Sequence, residues 1–361
     1  MNEERGFMNT LILPCAGRSS RYPNLRPKWL LTHPDGELML EKVINGLEIK
    51  NLDRIIITIV QDQIEKYEAD LIIRQAFGDK VEICILDEYT QSQTDTVLQT
   101  IKTMGVSGPF IAKDSDGRVS IKIDKFNNFL VGADLRKHRD VTNIPGKSFL
   151  ILNKQNMIID IIEKSVSSNI INLGVYGFRS AELFIDAINQ LQKIGSPENH
   201  DEFWLSHIVS YLLGKEEFFD YKETDQFDDW GTLTEWLDMR RKHKCYFVDI
   251  DGVVFKNKGE FGSVNWDTED IPLSENIDYL KNILEQGGQI IFCTSRSENQ
   301  REKLEESLRK NGLSWHHIVM NCFHSQRVLI NDYAPSNPYP SAVAISLERN
   351  EEDLKDLLSD I

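Results

Sequence analysis

The chain has 361 residues, 40% of them hydrophobic and 27% charged, with a formal net charge of −16. That length suits two domains and that composition suits a soluble globular protein. The acidic balance excludes non-specific binding to nucleic acid and to anionic membranes, which need basic surface, but leaves anionic substrates open. The start, "MNEERGFMN", is charged and lacks the apolar core of a secretory signal. No apolar run reaches the ~20 residues that span a bilayer. A cytoplasmic protein is expected. Cys15, Cys84, Cys245, Cys293 and Cys322 form no CxxC pair and are expected to be buried free thiols of a reducing compartment.

In chain order, "TLILPCAG" predicts a strand running into a glycine turn. "LMLEKVINGLEI" has helical spacing, "RIIITIV" is a strand, "QIEKYEADLIIRQAF" a helix and "VEICIL" a strand. "TDTVLQTIKTM" is a helix opened by Thr94 or Asp95, and "PFIA" is a strand ending in "KDSDG". This alternation predicts an α/β fold with a mainly parallel sheet. The middle is mixed ("SFLILN", "MIIDIIEK", "INLGVYGF"), followed by two helices. A second series begins after the charged segment "MRRKHK", so the domain boundary is expected near residue 240. There "CYFVDID" is a strand. "SENIDYLKNILEQG" is a helix with Ser274 as N-cap and Gly287 at its end. "QIIFCTS" is a strand, "SENQREKLEESLRKNG" a helix, and "HHIVMN", "RVLIND" and "AVAIS" are strands. No internal repeat is present.

After the first strand comes "PCAGRSSRYPNLRPKWLL". A Gly/Ser turn there lets backbone N–H groups approach a phosphate, and Arg18 and Arg21 add positive charge. Lys28 follows 11 residues past Gly17. Asp114 and Asp116, taken alone, suit a plain "DSDG" turn; after a strand and behind the Arg–Lys loop they suit a metal. Trp230 and Trp236 suit packing.

These motifs resemble the sugar-phosphate nucleotidyltransferases, the pyrophosphorylase group, over roughly the first 240 residues. Their signature is close to G-x-G-x-R followed by P-K. The resemblance implies a Rossmann-like mixed sheet. It implies that Ala16, Gly17, Arg18 and Ser19 line the nucleotide site, with Gln93 and Thr96 of "TQSQTDTV" at the nucleobase and ribose. Mg²⁺ would be held by Asp116, or Asp114, together with Asp229 of "DDWGT". Glu163, Lys164, Asn172, Gly174 and Tyr176 would form the sugar-phosphate side. Lys28 and Arg21 would bind the triphosphate and steady the leaving pyrophosphate. Ser19 stands where the family often has a second glycine, and Ser92 departs from the usual T-x-G-Q.

The later stretch "YFVDIDGVVF" carries Asp249 and Asp251 in an apolar run. Clustered carboxylates there need a metal, a helix terminus or a cation. Thr294 ends a second strand 45 residues after Asp249, and Asp332, next to Asn331, ends a third 38 residues later. Three such strand ends can converge at the carboxyl edge of a parallel sheet. This pattern resembles the haloacid dehalogenase-like phosphatases over about residues 243 to 361, with a minimal cap. It implies Asp249 as nucleophile, Asp251 as general acid–base and Thr294 as a phosphoryl contact. Asp332 and Asn331 would hold Mg²⁺ together with Asp249 and Asp251, with Arg327 as the cation. His316, His317 and His324 lack ligand spacing. Lys303, Arg309 and Lys310 suit a solvated helix face.

The expectation is a bifunctional enzyme acting on a nucleoside triphosphate and a sugar or polyol phosphate, in precursor supply for surface polysaccharide. Two competitors differ in class. A glycosyltransferase also uses D-x-D, but the "RSSR…RPK" loop argues against it. A second domain that only senses a metabolite is the other. A homo-oligomer is compatible with the sequence, and the base and sugar are open.

Overall fold

In the computed structural model the described residues are 7–139, 141, 143–194, 203–259, 266–332 and 341–359. The chain divides into two compact units, Met1–Leu233 and Thr234–Ile361. Helix Leu233–Lys242 lies at this division, so the junction expected near 240 falls within it.

The first unit is built on a nine-stranded mixed sheet. Four strands run parallel: β1 (Thr10–Pro14), β3 (Arg54–Val60), β4 (Glu82–Leu86) and β5 (Phe110–Lys113). β1 lies between β3 and β5. In β1, Leu11 and Leu13 enter one apolar cluster and Ile12 enters the other. That two-sided burial is what a β-branched, uninterrupted apolar strand produces. On the other side of β5 the sheet turns antiparallel through β11 (Ile170–Phe178), which pairs with β8 (Phe129–Asp134) and β9 (Ser148–Leu152). β10 (Ile158–Glu163) closes that edge against β9, and β12 (Asp220–Glu223) adds to β8.

Three local expectations shift. The helix α1 (Met39–Asn45) stops short, and β2 (Leu47–Ile49) pairs with β7 (Ile121–Ile123). Gly46 sits between them because a Cβ there would lie 2.5 Å from the Val119 carbonyl oxygen. The helix expected over 63–77 is two, α2 (Gln61–Tyr67) and α3 (Ala69–Phe77), separated by Glu68 in the left-handed region at φ 52°. Helix α4 (Gln93–Met104) is capped by Ser92, whose hydroxyl accepts from the Asp95 N–H at 3.1 Å, rather than by Thr94 or Asp95. Helices α5 (Ala181–Ile194) and α6 (Leu205–Leu213) follow β11. A short ladder of β6 (Gly117–Val119) with β13 (Phe227–Asp229) completes the unit.

In the second unit, α7 (Leu233–Lys242) leads to a three-stranded parallel sheet, β14 (Cys245–Asp249), β15 (Gln289–Cys293) and β16 (His317–Val319). Helices α8 (Ser274–Glu285), α9 (Arg301–Lys310) and α10 (Leu354–Leu358) contribute Leu280, Leu308 and Leu354 to its core. Leu273, not Ser274, holds the N-cap position of α8, and Gly287 ends it at φ 94°.

The strands expected at "RVLIND" and "AVAIS" are absent: both segments are described and neither joins a ladder. Val328, Ile330 and Val343 are exposed instead. β-propensity describes fit to a neighbouring strand, and among the described residues no such neighbour meets these segments. The thiol expectation also changes. Cys15 and Cys84 are buried, but Cys245 is exposed and Cys293 and Cys322 are half-buried; all are free. Trp230 and Trp236 are both buried. No helix among the described residues is long and apolar enough to cross a membrane.

Candidate active site

The loop after β1 is anchored at its root. The Cys15 carbonyl accepts from Trp29 Nε1 at 3.2 Å and from Gln63 Nε2 at 3.0 Å. Ala16 is buried, and its carbonyl accepts from the Thr90 N–H at 3.3 Å. Beyond it Gly17 and Arg18 are exposed. A Cβ on Gly17 would meet nothing within 4 Å, so this glycine leaves open space rather than relieving a clash. Ser19 adopts φ 49°, a conformation its missing family glycine would take without strain. Its carbonyl accepts from the Tyr22 N–H at 2.8 Å, and its hydroxyl from the Lys28 N–H at 3.4 Å. The Arg18 guanidinium lies 4.7 Å from the Tyr89 ring centroid.

Lys28 opens a short 3-10 turn whose Trp29 and Leu30 are buried, which leaves the ammonium directed at Asp116. Arg21 approaches the same carboxylate at 3.6 Å. Burial opposes ionisation of Asp116, but Lys28 and Arg21 outweigh it and hold the carboxyl well below the usual range. Asp229 lies beside Asp116 through the β6–β13 ladder: it pairs with Gly117, and the Trp230 N–H donates to the Asp116 carbonyl at 2.9 Å. Asp229 itself is ion-paired with Lys147.

Between these groups lies Lys113, the last residue of β5, fully buried and ion-paired with Asp114, though its Nζ makes no hydrogen bond. Burial pulls its ammonium down to about 7 against the opposing pull of Asp116 and Asp229. Asp114 is turned toward β11, where its N–H donates to the Gly174 carbonyl at 3.0 Å. Of the two D-x-D residues, Asp116 is the one joined to the Asp229 segment by a hydrogen bond, through its carbonyl and the Trp230 N–H.

Where the resemblance expects the nucleobase, the structure separates Gln93 from Thr96. Thr96 is buried with its hydroxyl 2.6 Å from Thr90 Oγ1 and donating to the Ser92 carbonyl at 3.1 Å. It locks the α4 entry rather than facing a ligand. Gln93 Nε2 and Thr94 Oγ1 are buried without hydrogen-bond partners. Two unmatched polar atoms in the first turn of one helix are costly unless a ligand meets them. Thr94 was legible only as a helix start.

On the sugar side, Glu163 accepts from Ser148 Oγ and, at 2.7 Å, from Ser206 Oγ. Tyr176 is buried, which pushes its phenol up, and Glu163 adds to the shift. Asn172 is buried with its Oδ1 unpartnered. Between Asn172 and Tyr176 the β11–β8 register slips, and Gly174 sits in that irregularity at φ 68° against Asp114. Lys164, at φ 51°, places its ammonium 3.9 Å from the Trp204 ring centroid.

Asp116 and Asp229 are hard oxygen donors on residues that the β6–β13 ladder brings together. Magnesium is commonly held by one or two carboxylates plus substrate phosphates, so this pair fits the ion the resemblance implies. Among the described residues no group of three or more His, Cys, Asp and Glu side chains gathers that could hold a metal ion.

In the second unit, the β14–β15 register pairs Asp249 with Cys293, which puts Thr294 one residue beyond. Burial raises the Asp249 carboxyl, while Arg327 opposes the shift from 3.1 and 3.3 Å. Asp251 is clamped by Arg296, which donates at 2.8 Å to Asp251 Oδ1 and at 2.8 Å to Asp270 Oδ1. Arg296 is 1% exposed, and sequence reasoning passed over both it and Asp270. The Thr294 hydroxyl accepts from the Arg296 N–H at 3.1 Å.

Asn331 and Asp332 are not brought to this group. Asn331 donates to the Ser341 carbonyl at 3.0 Å, and Asp332 is exposed with its carbonyl accepting from Ser341 Oγ. The reason is the missing strand: among the described residues their segment joins no ladder, so nothing draws their side chains to the sheet's carboxyl edge. The magnesium set expected from Asp249, Asp251, Asn331 and Asp332 is therefore not assembled.

The first unit is thus a mixed α/β sheet with a Gly/Ser loop, lysines and aspartates at the edge of its parallel strands. No family model matches this sequence, and no curated protein matches it. Sugar nucleotidyltransferases are among the solved structures similar to it. A nucleoside-diphosphate-sugar pyrophosphorylase from Vibrio cholerae RC9 superposes with a TM-score of 0.51 at 18% identity, over 63% of this chain and 98% of that one. The inositol-1-phosphate CTP transferase from T. maritima gives 0.47 at 13% identity, over 64% of this chain and 92% of that one. A UDP-glucose pyrophosphorylase complexed with UDP-glucose gives 0.48 at 13% identity, over 64% of this chain and 97% of that one.

Proposed function

We propose that the first unit transfers a nucleotidyl group from a nucleoside triphosphate to a sugar or polyol phosphate. An oxygen of the acceptor phosphate bonds to the α-phosphorus, the bond from that phosphorus to the bridging oxygen breaks, and pyrophosphate leaves. The observation that carries this reading is the pairing of Lys28 and Arg21 with Asp116 beside an open glycine loop. Both reactants are anions, and cations fixed at the leaving group lower that repulsion. The acceptor oxygen is already ionised, so no general base is needed. A divalent ion on Asp116 and Asp229 would supply further charge neutralisation between the phosphates. Gln93 and Thr94 would hold the base or ribose, and Glu163, Asn172 and Tyr176 the sugar.

The test is a matrix of four triphosphates against sugar 1-phosphates, with pyrophosphate detection. Release with one pairing, lost in Lys28→Ala, is the expected result. Turnover of a nucleotide sugar onto an acceptor, without pyrophosphate release or exchange, would favour the glycosyltransferase.

A second activity is proposed for the other unit, phosphomonoester hydrolysis through an aspartyl-phosphate on Asp249. It is favoured by the contact of Arg327 with Asp249, which sets a cation where a phosphoryl group would arrive. Asp251 would protonate the leaving oxygen, and Thr294 lies at the same strand edge. No step is assigned to Asn331 or Asp332. Phosphate release from a phosphosugar panel that survives Asp249→Asn would defeat this second proposal and leave the sensing module. Supply of activated sugar for surface polysaccharide is the setting that suits both steps.

A further inference from the structure

The resemblance puts Lys164 on the sugar-phosphate side, but that ammonium is engaged with Trp204 at 3.9 Å. Its cross-strand neighbour is Lys147, whose carbonyl accepts from the Lys164 N–H at 3.0 Å. Lys147 directs its ammonium at Asp229 instead. The sheet order runs β10, β9, β11, β5, β1. Asp116 follows β5, so the acidic pair has the β1 loop with Lys28 and Arg21 on one flank. On the other flank, beyond β11, lies β9, which Lys147 immediately precedes. In-line displacement needs the attacking and leaving oxygens on opposite sides of the phosphorus. Cations on opposite flanks of one carboxylate pair meet that requirement.

We propose that Lys147 binds the acceptor's phosphate beside Asp229, and that its ion pair with Asp229 fills that position in the free protein. The inference rests on the nucleotidyl-transfer reading and deepens it by naming the group that orients the nucleophile. Lys147 is half-shielded, with 17% of its side chain exposed, so a phosphate reaching it loses little to competing water. In sequence the residue sits in "IPGKS", which reads as an ordinary surface turn.

The test compares wild type with Lys147→Met, Lys147→Arg and Lys164→Met. Pyrophosphate release is followed against α-D-hexose 1-phosphate at saturating triphosphate, and then the reverse. Lys147→Met should raise the acceptor KM about tenfold or more and leave the triphosphate KM within about twofold. Lys147→Arg should recover most of the loss, and Lys164→Met should cost less than Lys147→Met. An unchanged acceptor KM in Lys147→Met, or a rise in the triphosphate KM instead, overturns the proposal. Calorimetric titration of the same hexose phosphates without nucleotide separates this failure from failure of the reading beneath it. If wild type releases no pyrophosphate yet binds a hexose phosphate that Lys147→Met does not, the site stands and the transfer reading falls. In a wild type that releases no pyrophosphate, equal binding by both proteins, or binding by neither, sinks the site.

Discussion

Gly174→Ala offers a sharp perturbation of the first unit, because two independent costs fall on one methyl group. The backbone at 174 is left-handed, φ 68°, which costs an L-residue about 1–2 kcal/mol. The new Cβ would also lie 2.9 Å from Asp114 Oδ1 and closer still to Cγ and Oδ2. Asp114 would have to leave, taking its rotamer off a minimum for about 1 kcal/mol and loosening its ion pair with the fully buried Lys113. The expected loss is roughly 2–4 kcal/mol, which for a unit of this size lowers Tm by about 4–16 °C. Asp114 is two residues from Asp116, and misplacing the site by ~1 Å is worth about 10²-fold in rate. Thermal melts followed by circular dichroism, with pyrophosphate release at saturating substrates, measure both. The double variant Asp114→Ala/Gly174→Ala keeps the backbone cost and removes the overlap. It should therefore lose less than the two single changes added together. Strict additivity, or a Gly174→Ala protein with normal melting and rate, would refute the reasoning.

Lys28→Ala should lower kcat about 10²–10³-fold with little change in acceptor KM, read from initial rates. Arg296→Met should destabilise the second unit by roughly 3–5 kcal/mol, since Asp251 and Asp270 would be left facing each other without the buried cation; denaturant unfolding of the full chain reads this as an earlier transition. Asp134 is held down to about 2, from 3.8, by its Arg136 partner. A depressed carboxyl contributes stability that is present above pH ~4 and lost as pH falls toward 2. Asp134→Asn should therefore be less stable than wild type at pH 6, and the gap should narrow below pH ~4 and vanish only once the pH has passed below about 2. Thr96→Val should reduce stability with the base preference unchanged, whereas Thr94→Val should alter triphosphate KM; the matrix assay distinguishes the two.

Much of the first site was legible because its chemistry is local in sequence. The β1 run, the Gly–Ser turn and the Lys28 step announce themselves within 20 residues of one another. The D-x-D at the end of β5 was visible too, but which carboxylate faces the site was not. That depends on β11 crossing beside Asp114, a long-range pairing. Lys147 was invisible for the same reason: a lysine in a turn has no signature until β9 is placed near the acidic pair. Thr96 misled because a threonine in the first turn of a helix looks the same whether its hydroxyl meets a ligand or the preceding carbonyl. The α2–α3 break turns on one left-handed residue, Glu68, that helical periodicity cannot reveal. "RVLIND" failed because alternation and β-branching specify a strand only when a partner edge arrives.

The unpaired stretch after β16 has a practical corollary. Phe323 is 90% exposed and Ile330 89% exposed, and they follow a short edge strand whose outer backbone groups join no ladder among the described residues. A sticky border of that kind invites strand addition from other molecules. A separately expressed fragment beginning at Thr234 is therefore a poor subject for concentrated solution work unless the border is first blunted, for instance by lysines at 328 and 330.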